Sequence, residues 1–508
     1  MTSRNSGKKA AGSFRKIILL LVLGLIIIAA IIAQVLLRPN RSALLKIVYT
    51  GGIQGHYQYE ENVSAGYGKI VSVKDQYREE GHEVILIDSG GSFGGSSSAE
   101  LSSGESMLGL MNTAGYNAMT PGSLDFVYGI DRLKALRTQS EFPFLICNLK
   151  NSDGSKAFED YIVMNINGVR IGITGVTDGL SDTSLSREGL AYEDPVEAVT
   201  EAVSAMGGRV DAFIVIASIS DTEVIGQISQ IEDVNLVITS AREEPLEQST
   251  DGAMIVSPAS HGSSIGVVTM DVSRKEVSFE NEQIGESVYA NLPASSEVSE
   301  EAAAVEEDLR VRASVSCVLS DQYTEKTKSA DESEEYYDED EDEEEDSLRT
   351  SAAGALTADA MLAEGLSWSA DAALIRSSEI KGNISGRKMT VSDVLALYDD
   401  DCYLVICRMT GGELCSIVEQ CIGEGIEEPE KMLQAAGIRC EINEDREMGS
   451  RVSEIIIGSS KLDDAGTYYV AMTDSMAKEF GFSLHSSGFV AAGRSIAGIV
   501  SDYISDGK

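Results

Sequence analysis

Few residues in this chain have the chemistry to bind a metal or move a proton. Among 508 residues there are only four histidines: His56, His82, His261 and His485. The first belongs to Lys46 to Gln58, KIVYTGGIQGHYQ, which reads as a strand running into a Gly-rich loop. Carboxylates follow at Asp88, Asp125, Asp221 and Glu243. Hydrolases collect such groups on loops after successive strands, because a two-metal site with ions about 3.5–4 Å apart needs several oxygen and imidazole ligands. The loop after the first strand instead offers Gly51, Gly52 and Gln54. The seven cysteines contain no C-x-x-C pair, so a zinc site is not indicated, and an odd number leaves at least one thiol without an intrachain partner. There is no Walker-type phosphate loop. GGSFGGS (residues 90–96) could cradle an anion with backbone amides, but a lone Gly-rich loop carries little by itself.

The elements that must position these residues alternate between strand and helix from Leu44 to about Asn291. LLKIVYT, HEVILIDSGG, FPFLICNL, DAFIVIASIS and VNLVITS have the run length and composition of buried strands. AGYGKIVSVKDQYREEG and GESMLGLMNTAGYNAM have helical spacing, and DPVEAVTEAVSAMGGRV is a helix with an Asp-Pro start. YIVMNINGVRIGITGV reads as a hairpin turning at Asn-Gly, and AMIVSPASHGSSIGVVTMDVS as a closing, hairpin-like pair. This alternation implies an α/β domain at 44–292. Residues 293–312 read as a linker helix. An α+β domain follows over 313–508, interrupted by an acidic insertion at 325–347. Thirteen of the sixteen residues from Asp331 to Asp346 are acidic, which predicts a disordered surface loop.

The ordered blocks resemble the bacterial 5'-nucleotidase family, a calcineurin-like metallophosphoesterase domain followed by a 5'-nucleotidase C-terminal domain. IVYTGGIQGH is similar to the family block T-N-D-x-H-G. VILIDSGGSFGGS resembles the D-x-G-D-x-x-x-G-S strand end, and MNTAGYNAMTPGSLDFVYG resembles M-N-x-x-G-Y-D-A-x-x-x-G-N-H-E-F-D-x-G. GALTADAM and MTGGELCSIVE resemble the C-terminal domain. The resemblance implies a four-layered metallophosphoesterase-like β-sandwich flanked by helices, an α+β second domain, and metal-assisted phosphate-ester hydrolysis.

Carried over residue by residue, however, the family's ligand positions are altered. Its metal ligands fall on Gly52, Gln54, Gly91, Ser123, Ser218, Ala241 and Glu243. The His and Asp that act on the leaving side fall on Leu124 and Val127. Only Gln54, Ser123, Ser218 and Glu243 keep an oxygen donor. Asp88, Asp125 and His56 are candidate residual ligands, while His82 and His261 are not expected to join a metal cluster. In the second domain the substrate-cleft candidates are Arg376, Lys381, Phe480, Phe482 and Phe489. Lys381 stands where the family has a phosphate-gripping arginine, and a lysine lacks the bidentate fork. Asp399 and Asp401 occupy a Phe and an Asn position, where carboxylates would repel a nucleotide phosphate.

Ile17 to Leu37 is one apolar run preceded by Arg4, Lys8, Lys9, Arg15 and Lys16. That pattern predicts a single transmembrane anchor over 17–37, with residues 1–16 cytoplasmic and the main domains outside the cell membrane. A net charge of −42 excludes nucleic acid as a partner. The sequence therefore predicts a membrane-anchored extracytoplasmic protein without catalysis or cofactor, acting by binding a nucleoside, nucleotide or protein ligand. The alternative is an active nucleotide phosphohydrolase using zinc, manganese or cobalt at a rearranged site.

Overall fold

The protein was obtained as a computed structural model that describes residues 44–178, 189–250, 252–271, 278–323, 348, 351–382, 384, 388–399, 402–482 and 489–506. The predicted anchor at 17–37 and the acidic insertion at 325–347 lie outside the described residues. Among the described residues no helix is long and apolar enough to cross a membrane.

The N-terminal domain has two stacked sheets. In the first, β1 (Leu44–Thr50), β2 (Glu83–Asp88) and β3 (Ala118–Met119) run parallel. In the second, β6 (Val169–Thr177), β8 (Ala212–Ser218), β9 (Val234–Thr239) and β11 (Met254–Val256) run parallel, edged by the antiparallel β5 (Tyr161–Ile166) and β10 (Glu247–Ser249). Two further strands, β12 (Ile265–Asp271) and β13 (Ser278–Ile284), add to the first sheet beyond β1. The short β4 (Leu149–Asn151) and β7 (Leu190–Tyr192) pair separately.

Strand alternation explains the layering. Leu45, Ile47 and Tyr49 of β1 meet Ile171 and Ile173 of β6 and Ile214 and Ile216 of β8 in one inter-sheet core. Val48, Val84 and Leu86 face the other way, onto helices that include Gly66–Glu79 and Glu105–Ala114. Val215, Ala217 and Val237 face the helices Pro195–Met206 and Thr222–Ser229. Helix, sheet, sheet and helix therefore make four layers.

Local signals placed most elements. Asn167 and Gly168 carry φ of 53° and 92° at the β5–β6 turn, the left-handed pair that a tight hairpin requires. Asp194 accepts hydrogen bonds from the amides of Val196 and Glu197, capping its helix as the Asp-Pro start predicts. Two readings differ. FPFLICNL is buried but makes only isolated bridges at Phe144 and Leu145 before β4, because its backbone crosses between sheets. The closing pair is no hairpin: β11 lies in the second sheet and β12 in the first. A 3-10 turn at Ser260–Gly262 carries the chain between them.

The linker helix, Ser296–Ala313, buries Val298, Ala302, Val305 and Leu309 against the N-terminal domain, one face of a helix at four- and three-residue spacing. The C-terminal domain is built on a five-stranded sheet in the order Leu433–Ala436, Ala372–Arg376, Thr467–Thr473, Tyr403–Thr410, Phe489–Ser495. Ala352–Gly365 and Ile496–Ser505 cover one face and Gly411–Glu427 the other.

Candidate functional site

The parallel strands end together. Thr50 is level with Asp88, and Asp88 with Met119, so the loops after β1, β2 and β3 leave the sheet side by side. On the second sheet Thr177 is level with Ser218, and Ala217 with Thr239. The carboxyl ends of such strands are where ligands bind in open α/β sheets.

Here the loops are laced directly to one another by backbone. The Gly52 amide donates to the Gly90 carbonyl at 2.7 Å, the Gln54 amide to Gly91 at 2.9 Å, and the His261 amide to Gly52 at 2.7 Å. Gly52 and Gly91 hold φ of 56° and 76°, where a side chain is strained. Space is equally restrictive. A Cβ on Gly52 would lie 2.6 Å from the Cβ of Ala241, and one on Gly122 would lie 2.3 Å from Ser218 Oγ. A Cβ on Gly91 would lie 3.3 Å from the Gly52 Cα. Gly52, Gly91, Gly122, Ser218 and Ala241 thus form one packed knot.

Two carboxylates stand within it. Asp88 is fully buried and accepts hydrogen bonds from Thr50 Oγ1 (2.7 Å), the Gly90 amide (2.8 Å) and Ser92 Oγ (3.1 Å). Burial pushes its pKa up to about 7, against those hydrogen bonds and with help from the charge of Asp125. Asp125 accepts from the amides of Gly91, Ser92, Phe93 and Gly122 at 2.7–2.9 Å. Burial raises its pKa too, offset by the four amides. Both groups use their oxygens to hold loop backbone in shape.

At the edge of the knot, His261 Nε2 lies 3.0 Å from Gln54 Oε1. The His56 and His261 rings meet edge to face with centroids 4.9 Å apart. Sequence reasoning set His261 aside, yet the Ser260–Gly262 turn brings it to a residue 207 positions earlier. No sequence signal pointed to it, because the change of sheet between β11 and β12 appears only in the fold. Ser123 and Glu243 are exposed, while Leu124 and Val127 are half-buried, with a Val127 methyl close to Gly94.

In the C-terminal domain, Arg376 ends its strand buried among carboxylates. Its Nη1 lies 2.7 Å from Glu424, its Nη2 2.9 Å from Glu479, and its guanidinium 5.9 Å from the centre of the Phe480 ring. Phe482 packs beside Phe480 against the adjoining core. Lys381 pairs instead with the exposed Asp399. The side chain of Phe489 and all of Asp401 lie outside the described residues. The fold brings Arg376 and Phe480 together and leaves Lys381 in a separate pair.

The two domains meet beside the knot. Glu100, on the helix Ser97–Ser102, accepts from Arg494 Nε and Nη2 at 3.2 and 3.1 Å and from the Ser495 amide at 3.1 Å. Arg494 also pairs with Asp502 at 2.6 Å. The Tyr403 hydroxyl donates to the carbonyl of Gly95, in the loop after β2.

Residues 328–483 match the family model described as 5'-nucleotidase, C-terminal domain. The chain is 27% identical over 143 residues to Silent protein UshA(0) of Salmonella typhimurium, covering 27% of this chain and 26% of that one. It is 29% identical over 149 residues to the 5'-nucleotidase of Rattus norvegicus, covering 28% and 26%. These matches make part of the chain similar to 5'-nucleotidases. In fold it is similar to the NAD nucleotidase of Haemophilus influenzae (TM-score 0.69, 13% identity, 91% and 96% of the two chains). It is also similar to a 5'-nucleotidase precursor from Thermus thermophilus (TM-score 0.53, 19% identity, 92% and 97%). The chain spans about a quarter of the length of the curated relatives it matches.

A dinuclear metal centre of the kind such 5'-nucleotidase relatives imply does not fit these residues. Its positions converge in space, but two are glycines at positive φ and one is an alanine packed on a glycine. Among the described residues, no three His, Cys, Asp or Glu side chains are grouped to hold a metal ion.

Proposed function

We propose that this 5'-nucleotidase-family chain is a membrane-anchored extracytoplasmic protein that has given up phosphoester hydrolysis and acts by binding a ligand or another protein. The observation that carries the reading is the Gly52–Gly91–Ala241 contact. Ligands have been removed there, and the space they would occupy is filled by neighbouring backbone. The framework persists meanwhile: Asp88 and Asp125 still shape the loops, and both domains retain full cores. The apolar run at 17–37 supports the anchor.

The second reading is a phosphohydrolase with a rearranged site, favoured by the gathering of Gln54, His56 and His261 at the edge of the knot. Purified residues 42–508 are expected to carry no stoichiometric zinc, manganese or cobalt and to release no phosphate from nucleotides or an aryl phosphate with those metals added. Turnover that Asp88→Ala or Glu243→Ala abolishes would overturn the first reading. A thermal-shift screen with nucleosides and nucleotides then separates a small ligand from a protein partner.

A further inference from the structure

We infer that the amino-end face of the N-terminal domain rests on the lipid headgroups, and that the knot and the C-terminal domain point away from the membrane into solution. The inference rests on the anchor proposed above and concerns what that anchor does to the orientation of the site.

The direction of β1 decides it. Only residues 38–43 separate the apolar run from Leu44, the first residue of β1. Six residues fully extended reach at most about 20 Å. The tether therefore joins the domain at the end where β1 begins. Glu83, the first residue of β2, is level with Leu45 there, and the β5–β6 turn closes the same end through Asn167 Nδ2 to Glu83 Oε1 at 2.8 Å. A small apolar pit at this end is lined by Leu44, Leu45, Ile166, Val169 and Met270.

The knot lies at the other end. β1 has seven residues, which at about 3.3 Å each place Thr50 roughly 23 Å from the tether point, with the loop beyond it. An inverted domain, with the knot against the bilayer, would need the tether to run back along β1 to the headgroups, and its reach of about 20 Å falls short of the roughly 23 Å required. The C-terminal domain docks on the far side, through Tyr403 to Gly95 and Arg494 to Glu100. The order outward is bilayer, N-terminal sheets, knot, C-terminal domain. A net charge of −42 also opposes any folding of the outer parts back onto anionic lipid. A ligand or partner for the knot then arrives from the aqueous phase and is not a lipid of the anchoring membrane.

The test uses the full chain in phosphatidylcholine vesicles with an energy-transfer acceptor on a fraction of the headgroups. A donor dye is attached through an azide-bearing amino acid at position 167 or at position 243, both on exposed turns. Transfer is expected to be several-fold stronger from 167 than from 243. Equal transfer, or stronger transfer from 243, overturns the orientation while leaving the anchor standing. A chain that fails to float with the vesicles overturns the anchor itself, and the orientation with it.

Discussion

The two halves of the molecule treat charge at their candidate sites in opposite ways. In the N-terminal domain, glycine and alanine stand at the centre of the knot, and the loops close on each other through backbone hydrogen bonds. In the C-terminal domain, charges are gathered. Arg376 is buried at 8% side-chain exposure, yet Glu424 and Glu479 hold it from the partly open side at 25% and 43%. A site closed by backbone contacts depends on close packing. A site built on ion pairs depends on contacts that water can partly replace.

The contact between the halves gives the largest expected effect. Arg494→Ala leaves Glu100 with 3% side-chain exposure and no cation, and breaking a buried pair in this way costs about 3–5 kcal/mol. Thermal unfolding is expected to fall sharply and to split, with the domains melting separately. A single transition at the parent temperature would mean that the halves are not coupled through this pair.

Asp88 comes next. Its carboxyl pKa is raised from the ordinary 3.8 to about 7 in the folded protein. Between those values the folded state holds a proton that the unfolded chain has released, so stability falls as pH rises from about 4 to 7. The loss approaches about 4 kcal/mol, at roughly 1.4 kcal/mol for each tenfold difference in proton affinity between the two states. Urea titrations at pH 5 and pH 8 span about 3 kcal/mol of it, and Asp88→Asn is expected to flatten the difference.

Gly52→Asp asks whether the knot can accept a charge. The positive φ and the 2.6 Å approach to Ala241 predict a loss of about 1–3 kcal/mol and no gain of bound manganese or zinc. Metal uptake with unchanged stability would show that the knot opens readily. The smallest effect is expected at Arg376→Met, about 1 kcal/mol, because both carboxylates it leaves behind retain access to water. A loss larger than that of Gly52→Asp would reverse the contrast between the two halves.

Much of the fold was legible because its signals are local. The Asn167-Gly168 turn, the Asp194 cap and the alternation of β1 each depend on a few neighbouring residues and on the period of the backbone. The destination of β12 was not legible, since nothing between Val256 and Ile265 distinguishes a hairpin from a change of sheet. The same turn hid His261. Arg376 was readable as a cation in the substrate domain, but its carboxylate partners lie 48 and 103 residues away, and no spacing rule connects them.

By itself the sequence determined what the site lacks. A glycine or alanine offers no ligand wherever the fold places it, so the loss of donors at Gly52, Gly91 and Ala241 follows from residue type alone. It determined the net charge and the apolar run for the same reason. Only the tertiary structure decided that those positions pack against one another, that Asp88 and Asp125 serve the backbone, and that Glu100 meets Arg494. Composition and period are properties of neighbouring residues, whereas these contacts join loops that long stretches of chain must first fold to bring together.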